Sequence, residues 1–176
     1  MGKGRRVIIE HGVVLNVRKN LENNYNQIIG NLKELQGLTV LVTAEYPLAA
    51  NSPKQRKILY ISSCLYEYYQ LVEDSLLIIA RTVDLWIPGS LDWHYRLIRL
   101  MMIPIPDKRP AILSKVTALQ LDHYLVLYLN YHHHSIIISP CKLDKMISSL
   151  QELTDRLESE LTRFINQCFS GKDRAL

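Results

Sequence analysis

The chain has 176 residues, of which 48% are hydrophobic, 22% charged and 8% aromatic, with 7 Gly and 7 Pro. Length and composition are those of one globular domain and exclude collagen-like, disordered and disulfide-scaffold chains. The net charge of +4 permits an RNA, DNA or acidic partner without demanding one.

The start, Met1-Gly2-Lys3-Gly4-Arg5-Arg6, is basic, yet no long apolar run or small-residue cleavage site follows. Residues 1–12 and 170–176 are expected to be flexible ends of a single domain spanning 1–176. The first helix is expected over about residues 13–36, where Leu15, Leu21, Tyr25, Ile28, Ile29, Leu32 and Leu35 recur at helical spacing. Gly37 is a plausible stop. Residues 38–53 read either as a short β-branched strand or as more helix, closed by Pro47, Asn51, Ser52 and Pro53.

A long helix is expected over 54–84, with Ile58, Ile61, Leu65, Tyr69, Val72, Leu76, Ile79 and Val83 on its apolar face. Pro88-Gly89-Ser90 makes a turn, and a short helix follows to Met101. Pro104, Pro106 and Pro110 stiffen a linker. Ser114, or a residue just before it, caps a helix running to about residue 134. That helix is apolar almost all round, as a central helix is. Pro140 closes an Ile136-Ile137-Ile138 segment. The last helix is expected over 143–169, on a stripe from Leu143 to Phe169. The sum is an all-α bundle of four main helices plus a short one.

Between His123 and Cys141 no Asp, Glu, Lys or Arg occurs, but Asn130, three His, two Ser and a Pro break the run. A bilayer span needs about twenty mostly apolar residues, so a soluble, cytoplasmic protein is expected. The 3 Cys are widely spaced; Cys64 and Cys168 fall in apolar helical patterns, as buried thiols do.

Phosphate-cradling Gly loops and zinc-protease motifs are absent. His132-His133-His134 is a poor metal set, because neighbours on a helix point about 100° apart. The run reads instead as a polar helix end whose imidazoles bond the last carbonyls, or as a proton-transfer site, since imidazole titrates near neutrality. No metal or cofactor is expected. Glu73 and Asp74 interrupt an apolar helix, so one of them must face inward or a partner; Glu73 is the better candidate, and a buried carboxylate needs a donor. Tyr60, Tyr66, Tyr68, Tyr69, Tyr124, Tyr128 and Tyr131 can stack bases, but at helical spacing they read first as packing residues.

From Tyr69 to about Ile165 the order of features resembles the HepT-like branch of the HEPN superfamily. The resemblance rests on Val72-Glu73-Asp74-Ser75 running to Asp84, on Gly89-Ser90-Leu91-Asp92-Trp93-His94, on Arg109-Pro110, and on Leu121-Asp122 leading into Tyr128-Leu129-Asn130-Tyr131-His132-His133. It implies a helical homodimer of toxin–antitoxin type, paired with a minimal nucleotidyltransferase and cleaving RNA without metal. It also implies an Arg, four to six residues, then a His, with two copies of that motif meeting across the dimer. His133 falls on the family His, and Glu73 on the family's acidic position. Tyr128 stands where the Arg would be, and Ser135 where a modifiable Tyr would be. The resemblance therefore assigns His133, Tyr128 and Glu73 to the site, with His132, His134 and Arg81 as possible supports. Losing one preorganised charge donor lowers a rate by about 10²–10³-fold. The second reading is accordingly an inactive HEPN-like dimer that binds a nucleotidyltransferase or RNA.

Overall fold

The computed structural model describes residues 3–48, 54–132 and 139–170. Six α-helices follow in order: α1 (Lys3–Leu48), α2 (Lys54–Ile79), α3 (Trp93–Met101), α4 (Lys115–His132), α5 (Pro140–Ser148) and α6 (Leu150–Ser170). A π-helical turn, Ala80–Asp84, ends α2. No strand occurs among the described residues. The protein is an all-α bundle in which α2 lies between α1 and α4, and α6 packs on both α1 and α4.

Two expectations about helix ends are corrected. Helix α1 begins at Lys3 rather than near Val13 and runs through Gly37 to Leu48. Residues 38–48 are thus more helix, not strand. The buried stripe carries on through Leu35, Thr39 and Val42, and that burial outweighs the roughly 1 kcal/mol a helical Gly costs. The expected last helix is two helices. Pro140 occupies the first turn of α5 rather than closing the segment before it, and Ser139 caps that turn by accepting from the Lys142 N–H. Ser149 then breaks the chain before α6. Residues 136–138 lie outside the described part, as does the side chain of Cys168.

The core runs the length of the bundle, from Tyr25, Ile28 and Leu35 through Leu65, Tyr69 and Leu76 to Leu121, Leu125, Leu153, Leu157 and Phe164. Cys64 is within it. A chain of hydroxyls crosses three helices there: Thr39 Oγ1 lies 2.8 Å from Thr154 Oγ1, which lies 3.0 Å from the Tyr68 hydroxyl. Each hydroxyl of this chain of three thereby has a partner, as burial requires.

At the start of α4, Ser114 Oγ accepts from the Thr117 N–H, the expected cap. Glu160 of α6 adds a carboxylate there, accepting from the Ser114 N–H at 3.1 Å and the Thr117 hydroxyl at 3.0 Å. At the same end of the bundle, Leu85 has a left-handed backbone (φ 58°) and turns the chain out of the π turn. Asp84 is fixed by Arg109, whose Nε and Nη2 donate to the two carboxylate oxygens at 2.7 Å each. The turn and the proline linker are therefore joined, and the loop 85–92 between them delivers α3. No helix among the described residues is long and apolar enough to cross a membrane.

Candidate functional site

Three helices bring a buried stripe to one place. On α2 the stripe is Tyr69, Val72, Glu73, Leu76 and Ala80, spaced as one helix face. Glu73 is 4% exposed. Asp74, about 100° further round, is on the surface. On α4 the stripe is Leu121, Tyr124, Leu125 and Tyr128, all buried. On α3 it is His94, Leu97, Ile98 and Met101. An acid and an imidazole thus occupy apolar register positions on two facing helices.

They meet. His94 Nδ1 lies 2.5 Å from Glu73 Oε1. The Tyr69 phenol neighbours the same carboxylate, and each group acts on the other electrostatically. Trp93 lays its indole on the imidazole, with ring centres 3.8 Å apart. Tyr128 comes within 5.6 Å of the His94 ring and 5.0 Å of the Tyr69 ring, and it stacks on Tyr66 at 4.9 Å. Tyr131, one turn on, packs against Tyr66 at 4.8 Å.

The electrostatics follow from burial. Desolvation pushes the Glu73 carboxyl up, and the bonds from His94 and Tyr69 only partly oppose it. Desolvation also raises the Tyr69 phenol, and the neighbouring Glu73 charge raises it further. Tyr128 is raised by burial first and by Glu73 second. Both phenols are therefore donors at neutral pH, not bases. The His94 side chain is 15% exposed. With Nδ1 taken by Glu73, Nε2 is the ring nitrogen left for a ligand. A carboxylate on one imidazole nitrogen sets the chemistry of the other.

Glu73 and Tyr128, singled out from sequence, are brought together around His94. Arg81 is not part of this cluster. It lines a groove with Asn24, Gln27, Asp74 and Thr82, and its charge acts on Asp74, countering the upward push of burial there. His132 is the last residue of α4. His133, His134 and Ser135 lie outside the described residues.

The model of one protein family, described as HepT-like protein, matches residues 60–168, more than half of the 176. The chain belongs to the HepT-like family. No curated protein and no solved structure matches it. The match takes in α2 from Tyr60 onward, α3, α4, α5 and most of α6, so every residue of the Glu73–His94–Tyr128 cluster lies inside the HepT-like region.

His94 is the site residue that reasoning from the sequence passed over. The signal was present: in this HepT-like chain a His stands at an apolar position with Leu97, Ile98 and Met101 at i+3, i+4 and i+7. Its partner is 21 residues away, and no local pattern reveals that.

Proposed function

We propose that this HepT-like protein is an endoribonuclease of toxin–antitoxin type that acts as a homodimer and needs no metal. The observation that supports it is the buried Glu73–His94 contact beside Tyr128, at the two positions where the family resemblance puts an acid and a transition-state donor. In this reading one His133 takes the proton of a ribose 2′-OH. The freed O2′ bonds to phosphorus as the P–O5′ bond breaks, and His133 of the partner subunit returns a proton to O5′. The products are a 2′,3′-cyclic phosphate and a 5′-OH. Tyr128 donates a hydrogen bond to a phosphoryl oxygen but brings no positive charge.

One observation favours the alternative, a dimer that binds RNA or a nucleotidyltransferase without cutting. Tyr128 is packed among Tyr66, Tyr69 and His94 as a core residue would be. RNA incubated with wild-type protein and with His133→Ala, both in EDTA, separates the two readings. The nuclease reading expects cyclic-phosphate ends from the wild type alone. Wild-type products equal to a protein-free control contradict it.

A further inference from the structure

We infer that His94 is a phosphate-contacting residue: as an imidazolium held by Glu73 through Nδ1, it presents Nε2–H to a phosphodiester of single-stranded RNA. This rests on the nucleic-acid reading above and adds the residue that supplies its positive charge.

A phosphate needs a cation or several donors. Around Tyr128 the described ionisable groups are Glu73, Asp74 and Tyr69 from α2 and His94 from α3, besides the other tyrosines of the cluster. The arginines nearest in sequence are committed elsewhere. Arg109 is closed on Asp84, Arg99 pairs with Asp122, Arg96 lies 3.0 Å from Asp92, and Arg81 faces Asp74. Among the described side chains, only His94 places a group able to carry positive charge against Tyr128. The Glu73 carboxyl group, 2.5 Å from Nδ1, fixes the orientation of the ring. Trp93 stacks on the ring, with centres 3.8 Å apart. The Tyr128 and His94 rings come from facing helices to within 5.6 Å, so a cation placed at position 128 would stand beside the His94 position.

The test uses a 5′-fluorescein 12-nucleotide RNA, fully 2′-O-methylated so that it cannot be cleaved, with binding to full-length protein read by anisotropy at pH 5.5 and pH 8. The expected wild-type affinity falls about tenfold across that interval, in which an imidazole loses its proton. His94→Gln, shown to be folded by circular dichroism, is expected to bind at pH 5.5 about tenfold more weakly than wild type. The double variant His94→Gln, Tyr128→Arg is expected to regain affinity and to keep it at pH 8, because a guanidinium does not titrate there. Wild-type affinity in folded His94→Gln at pH 5.5 overturns the inference, and so does absence of wild-type binding. If the double variant does not fold, the single-variant comparison at pH 5.5 decides alone. Binding that depends on His94, without cleavage of ordinary RNA, sinks the nuclease reading and leaves this inference standing. Cleavage with binding indifferent to His94 does the reverse.

Discussion

Two buried acid–base pairs flank the loop 85–92, and they are built to different ends. Arg109 donates to both oxygens of Asp84 and to the carbonyls of Leu100, Ile103 and Pro110. Its side chain is wholly buried and that of Asp84 nearly so. Nothing in that pair is left over for a ligand. Glu73–His94 is shorter, 2.5 Å against 2.7 Å, but keeps one ring nitrogen and a partly open face. A closed pair fixes geometry; an open one, with its carboxyl raised and two phenols beside it, has chemistry to offer.

The largest expected effect breaks the closed pair. Arg109→Met leaves a buried carboxylate alone and is expected to lower unfolding free energy by about 3–5 kcal/mol in urea titration. A loss under about 1 kcal/mol would mean that the pair is not the rivet described. His94→Gln keeps a donor for Glu73, so its expected cost is only about 1 kcal/mol. Equal losses in the two variants would erase the distinction between the pairs.

A smaller effect concerns pH. The folded carboxyl of Glu73 lies above its ordinary value, so the native state holds a proton that the unfolded chain has released. The stability from this group is therefore fullest at low pH and falls as pH rises from the usual glutamate range to the raised value. Glu73→Gln cannot titrate and is expected to flatten that slope in urea midpoints taken from pH 4 to 7. Parallel curves for the variant and wild type would show that Glu73 is not shifted.

The smallest effect lies in the loop between the pairs. Leu85 is exposed and left-handed, a backbone that costs an ordinary residue about 1–2 kcal/mol. Leu85→Gly relieves that strain but frees the unfolded chain, so a net gain of about 0.5 kcal/mol is expected in thermal unfolding. A loss would show that Leu85 contributes packing which its exposure conceals.

The sequence was readable where burial follows a single helical period. The inward turn of Glu73 and the cap at Ser114 follow from local spacing alone. The ends of α1 did not, because Gly37 signals a stop by propensity while the stripe around it continues; its Cβ would meet open space, so nothing forces a break. The α5–α6 division was hidden for a related reason. Leu143, Ile147, Leu150 and Leu153 keep helical spacing straight across Ser149, and periodicity does not register a break that preserves the buried face. His94 was hidden because its meaning depends on Glu73, and only the tertiary fold puts the two side by side. The family resemblance supplied the acid and the Tyr128 position, but not the residue between them.

The most direct test of this account is single-turnover cleavage of single-stranded RNA by wild type and by folded His94→Gln at pH 6, in EDTA. The account predicts cyclic-phosphate products from the wild type and a rate about 10²-fold lower for the variant, the usual effect of removing one transition-state donor. Equal rates, or no wild-type cleavage, would contradict it.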